Sequence, residues 1–248
     1  MAKAVLVTGA SSGIGAACAR LAARDGWDVG IHYNSDDAGA RAVLADVQAA
    51  GRKGVLLQGD VADSEGVAAI YAGFDAAFLR MDALINNAGM ISGKARIEEM
   101  SEARLTRIFA VNVVGAFLVA GQAVRRMSTA HGGEGGAIVN MSSVAARLGA
   151  GGQYADYAAT KGAIDTFTRG LADEVAAEGI RVVALRPGLI ETPIHGKAGD
   201  PDRPAKLAPG VPMRRTGSAD EVAEAAVWLI SDAASYVTAT WLDVSGGR

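Results

Sequence analysis

A chain of 248 residues, half of them apolar and 21% charged, with 32 glycines, is long enough to bury a full core within one α/β domain. Its formal charge of −3, with no lysine/arginine cluster, excludes a nucleic-acid surface. The single cysteine, Cys18, excludes intrachain disulfides and, set among alanines, reads as a small buried hydrophobe.

The chain opens with Ala4-Val-Leu-Val7, a strand of the kind buried on both faces of a parallel sheet. This run is too short for a signal peptide or a membrane span, so a reducing, cytoplasmic location with no membrane partner is expected. It leads into Thr8-Gly9-Ala10-Ser11-Ser12-Gly13-Ile14-Gly15, after which residues 16–24 have helical composition. Such a turn lets backbone approach a diphosphate, and the free N–H groups and dipole of the helix start favour anions. Gly9, Ser11, Ser12, Gly13, Ile14 and Gly15 are therefore candidate cofactor contacts.

Residues 28–33 read as the second strand, whose end is where a side chain that reads the cofactor's ribose is expected. An Asp or Glu there would bond the hydroxyls of NAD and repel a 2′-phosphate. Tyr33, Asn34 and Ser35 stand in its place, with no carboxylate before Asp36 and no arginine to clamp a phosphate. A mild preference for NADP(H) over NAD(H) follows, with Asn34 and Ser35 either donating to the phosphate or capping the next helix. That helix, 38–50, closes at Gly51; strand 53–58 ends in Gly59-Asp60-Val61; a helix over 64–80 and a strand over 82–85 lead to Asn86-Asn87-Ala88-Gly89.

Residues 102–127 read as one long helix in which Asn112, polar among apolar neighbours, must find partners if buried. Residues 128–136 read as a polar surface loop. Strand 136–141 then places Ser142 and Ser143 at its carboxyl end, where open α/β sheets bind ligands. Tyr157-Ala-Ala-Thr-Lys161 sets a phenol and an ammonium one turn apart on a helix face, where the ammonium is expected to pull the tyrosine pKa toward neutrality. Tyr154 has no lysine four positions on. A strand over 180–185, a Gly-, Pro- and charge-rich lid over 190–215, a capping box at Ser218-Ala219-Asp220-Glu221 and a last strand over 241–244 complete the chain.

The glycine turn near the start, Asn86-Asn87-Ala88-Gly89 and Tyr157-x-x-x-Lys161, in this order along the whole chain, resemble the short-chain dehydrogenase/reductase family, with glucose 1-dehydrogenases and 3-oxoacyl-carrier reductases among its members. The resemblance implies a single domain over 1–248, a doubly wound parallel sheet of about seven strands with helices on both faces. It places Asp60 and Val61 beside the adenine, Asn87, Ala88 and Gly89 near the ribose, and Pro187, Gly188, Ile190 and Thr192 around the carboxamide and diphosphate. Tyr157 and Lys161 touch the cofactor as well. The implied catalytic set is Asn112, Ser143, Tyr157 and Lys161: Asn112 holds a water in a proton relay, Ser143 binds the substrate oxygen, and Tyr157 moves the proton. Ser142 is the alternative serine, because the spacing from Ser143 to Tyr157 is one residue longer than usual.

The activity implied is NAD(P)(H)-dependent interconversion of a secondary alcohol and a ketone. A small carbonyl compound, a 3-oxoacyl thioester or a sugar would be the substrate, with Arg147, Gln153, Leu189 and His195 near it. The alternative is a cofactor-binding regulator of the same fold without catalysis. A homotetramer is expected, with a dimer as the other possibility, through the small-residue helices over 102–127 and 155–178. His32, His131 and His195 are scattered and offer no metal site.

Overall fold

The computed structural model describes residues 2–193, 196 and 199–248, so His195 lies outside the described residues. Within them, β1 (Ala4–Val7), β2 (Asp28–Tyr33), β3 (Gly54–Gln58), β4 (Ala83–Asn86), β5 (Gly136–Met141), β6 (Ile180–Pro187) and β7 (Thr240–Val244) form one sheet. Its order is β3-β2-β1-β4-β5-β6-β7, with every pair parallel. Parallel neighbours require crossovers, which the helices supply: α1 (Gly13–Arg24), α2 (Asp37–Ala49), α3 (Ser64–Ala77), α4 (Glu102–Phe109), α5 (Gly115–Met127), α6 (Ala145–Leu148), α7 (Ala155–Val175), α8 (Arg203–Leu207) and α9 (Ala219–Ile230). The strand order reverses between β1 and β4, opening a crevice at the carboxyl ends of the strands.

Successive side chains of a strand face opposite ways, and β1 divides accordingly. Val5 and Val7 pack with buried residues of α1, α2 and α9, among them Cys18, Val43 and Val222. Ala4 and Leu6 pack on the other side with Val67, Val119 and Leu171 of α3, α5 and α7. This two-faced burial is why the strands read as unbroken apolar runs. Burial also pushes the Cys18 thiol up to about 12, leaving it a packing group.

The expected helix over 102–127 is present, with one irregularity inside it. A π turn at Ala110–Val114 separates α4 from α5. The extra residue in that turn rotates the helix face, and it does so at the polar residue: Asn112 is 1% exposed and bonded at both ends of its amide. The run Glu102–Met127 is the one described segment long and apolar enough to cross a membrane. Here one face of it packs in the core, where Asn86 Nδ2 donates to Ala116 O and the Tyr71 hydroxyl to Val119 O.

Candidate active site

The crevice holds a cavity of about 540 Å³ that runs from the end of β2, over the glycine turn, to Tyr157. The glycine turn is shaped by close approach. A Cβ on Gly15 would lie 2.2 Å from the Gly9 carbonyl oxygen, so α1 can start this near to β1 only without a side chain there. Gly15 is set back from the cavity lining, where it seats the helix. Gly9, Ser11, Ser12, Gly13 and Ile14 do line it. The Ser12 side chain makes no cap bond, and the first turn of α1 contains no acid, so its free N–H groups are left for an outside acceptor.

Two bonds that the sequence did not signal hold this turn. Gly9 N–H donates to His32 Nδ1, and His32 Nε2 donates to Gly59 O. Burial lowers the His32 pKa, keeping it in the neutral form that can accept from Gly9. Just beyond β4, Asn87 reaches back: its backbone N–H donates to Thr8 Oγ1 and its amide to Thr8 O and Gly9 O.

At the end of β2, Tyr33, Asn34 and Ser35 line the cavity, as do Asp60 and Val61 beyond β3. The Tyr33 hydroxyl donates to Asp37, whose second carboxylate oxygen pairs with Arg41. Asp36 is the cap of α2, accepting from Gly39 N–H, so the side chains of Asn34 and Ser35 are not spent on capping. An arginine is present here after all: Arg107, from α4, lines the cavity and pairs with Asp60 at 2.8 Å.

At the other end, β5 and α7 are riveted together. Ser142 N–H donates to Leu185 O and Val144 N–H to Pro187 O, carrying the β5–β6 pattern past the strand and holding Ser143 between them. Ser142, the alternative to Ser143, lines the cavity too, but it is 2% exposed and its hydroxyl donates to Lys161 O at 3.2 Å. Lys161 Nζ answers by donating to Met141 O at 2.7 Å. Ser143, Tyr157 and Lys161 all line the cavity, with Ala88, Gly89, Pro187, Gly188, Ile190 and Thr192. Two buried ion pairs fix α7 itself: Arg104 grips Asp156 through two nitrogens, and Arg186 of β6 grips Asp165.

Asn112 stands behind this surface. Its amide accepts from Met90 N–H and donates to Met90 O and Thr160 Oγ1, tying the segment after Gly89 to the helix turn that carries Lys161. Of the expected substrate neighbours, Gln153 and Leu189 line the cavity. Arg147 does not; it points to Asp243 and to the Arg248 carbonyl.

The electrostatics correct one expectation. Burial holds the Tyr157 pKa above its ordinary value, opposed by a hydrogen bond with Ser143 and the charge of Arg203. Lys161 Nζ sits 5.6 Å from the Tyr157 ring centroid and is itself pulled down to about 8 by burial, against the charge of Asp165. In the protein alone the desolvation of the phenol outweighs the Ser143 hydrogen bond and the Arg203 charge.

The cavity fits a dinucleotide: a backbone cradle at a helix start, a surface groove at the end of β2, and at Gly89 a closest approach where an added Cβ would meet Asn112 Oδ1 at 3.4 Å and Lys161 Nζ at 3.7 Å. No cluster of His, Cys, Asp and Glu among the described residues could hold a metal. The family described as "Enoyl-(Acyl carrier protein) reductase" matches residues 9–248. The chain is 47% identical over 243 residues, 98% of each protein, to the uncharacterized oxidoreductase YgfF of Escherichia coli (strain K12). It is 41% identical to the cis-4-hydroxycyclohexanecarboxylate dehydrogenase of Sinomonas cyclohexanicum, over 98% of this chain and 94% of that one. The crystal structure of 3-ketoacyl-(acyl-carrier-protein) reductase from Brucella melitensis complexed with NADH superposes with a TM-score of 0.90 at 34% identity, covering 99% of this chain and 98% of that one.

Proposed function

This chain belongs to the short-chain dehydrogenase/reductase family, as an NAD(P)-dependent dehydrogenase acting on CH–OH groups, and we propose that Tyr157 is the general acid and base of its reaction. The observation that carries this reading is the placement of the Tyr157 hydroxyl and Ser143 on one cavity wall, with the Lys161 cation packed under the same helix turn. When bound, the nicotinamide supplies or takes up the hydride. In the reductive direction Tyr157 gives its proton to the carbonyl oxygen, Ser143 donates a hydrogen bond to that oxygen, and Lys161 stabilises the phenolate left behind. Oxidation of an alcohol runs the same groups in reverse. Because burial keeps Tyr157 protonated through neutral pH, it stands ready as a donor, and the oxidative direction should gain as pH rises. Asn112 holds the wall behind Lys161, consistent with a place in the proton relay.

The substrate is a small carbonyl compound, supported by the close walls of Gln153, Tyr154 and Leu189 and by the segment over 190–215, which contributes Ile190, Thr192, Pro193 and Arg203 to the cavity. A mild preference for NADP(H) over NAD(H) is supported by the free side chains of Asn34 and Ser35 and by the neutralisation of Asp37 by Arg41. A cytoplasmic location suits the single, buried thiol. A homotetramer is supported by apolar side chains exposed on both sides of the sheet: Phe109, Val114 and Phe117 on one, Trp228 on the other. Two such faces provide the two interfaces that a dimer of dimers needs. The test is nicotinamide absorbance across ketones and secondary alcohols with each cofactor. Turnover with a higher kcat/KM for NADP(H) is expected; no turnover of any compound with either cofactor would overturn the reading.

A further inference from the structure

The substrate end of the cavity carries two guanidinium groups for which the alcohol chemistry has no use. Arg203, in α8, and Arg248 both line it, and among the described residues neither has a carboxylate partner. Their neighbours do: Arg107 is paired with Asp60, Arg147 with Asp243, Arg186 with Asp165, and Lys94 and Lys206 share Asp200. Arg203 Nε is buried with no hydrogen-bond partner, and its guanidinium lies 5.2 Å from the centroid of the Tyr154 ring. Tyr154 is 2% exposed, lines the same cavity, and its hydroxyl is buried with no partner either.

These groups are close enough to feel one another. Burial and the charge of Arg203 lower the pKa of Arg248, and the same charge bears on Tyr157. Two like charges and an unpaired hydroxyl gathered on one wall are costly without a counter-charge, and a planar guanidinium fork matches the oxygens of a carboxylate or phosphate. The cofactor's diphosphate has its own cradle at the start of α1, whereas Arg203 stands over Tyr154 and next to Tyr157.

We propose that the substrate carries an anionic group, a carboxylate or a phosphate, held by Arg203, Arg248 and the Tyr154 hydroxyl while its carbonyl or alcohol carbon lies at Ser143 and Tyr157. This deepens the dehydrogenase reading and rests on it. Two matched pairs test it: 4-oxopentanoate against its methyl ester, and dihydroxyacetone phosphate against dihydroxyacetone. In the pair that matches the true anion, kcat/KM for the charged member should exceed that of the neutral one by about tenfold or more. Arg203→Gln and Arg248→Gln should each cut that ratio about tenfold through KM, and Arg203→Lys should restore part of it. Ratios near one in both pairs, or no turnover of any of the four by an enzyme active on other ketones, would overturn the inference and leave the dehydrogenase standing. Inactivity on every ketone and alcohol would instead remove the dehydrogenase reading, and this one with it.

Discussion

Lys161 is an ammonium held 5% exposed by one carbonyl, and its titration gives a direct readout of the site. Its folded pKa of about 8 lies below its unfolded value of 10.5, so between these two pH values the unfolded chain holds the proton that the folded one has lost. Stability from this group therefore rises with pH across that window and is lost as pH falls through 8. Urea unfolding at pH 7 and 9.5 should show the wild-type protein gaining about 2 kcal/mol relative to Lys161→Met, a difference that follows from the linkage alone. An equal pH response in both proteins would mean that Lys161 keeps its solution pKa. The pairing of Tyr157 with Lys161 was legible from their four-residue spacing, whereas the sign of the tyrosine shift was not. That sign depends on desolvation by the surrounding walls, and no local pattern encodes it. Arg104 with Asp156, and Arg186 with Asp165, were hidden for the same reason: their partners are 52 and 21 residues apart.

At the scale of elements, the strand–glycine turn–helix unit could be read directly because turn chemistry is local. Its inner geometry could not. Gly15 looks like its neighbours in sequence, yet in space it marks where α1 touches the Gly9 carbonyl. Gly15→Ala should cost about 1–3 kcal/mol in denaturant unfolding, as overpacking against backbone does, and weaken cofactor binding. A variant as stable as wild type would show that the contact can relax. The π turn was likewise invisible, since its apolar neighbours fit an unbroken helix equally well. It matters because it aims Asn112 at both polar groups of Met90. Asn112→Ala leaves that N–H and C=O without their partner and should destabilise the protein by about 1–3 kcal/mol. A change below about 0.5 kcal/mol would place the tie elsewhere.

For the molecule as a whole, apolar strands alternating with helices were enough to imply the doubly wound sheet, and the strand order β3-β2-β1-β4-β5-β6-β7 bears this out. Assembly is a further prediction at this scale. Phe117, 47% exposed, stacks on Phe167 of the neighbouring helix α7 with centroids 3.7 Å apart, presenting an aromatic face to solvent in the lone chain. Light scattering should give a tetramer, and Phe117→Glu should release smaller species; a wild-type monomer would contradict the two-interface reading. The fold brings one phenol, Tyr157, to the crevice over the strand ends. The most direct test is the single-turnover rate and cofactor Kd of Tyr157→Phe, measured together. The rate should fall by about a thousandfold or more, on the order of removing the group that carries the proton, with Kd within a few-fold of wild type. A variant that transfers hydride at near the wild-type rate would contradict the assignment of Tyr157.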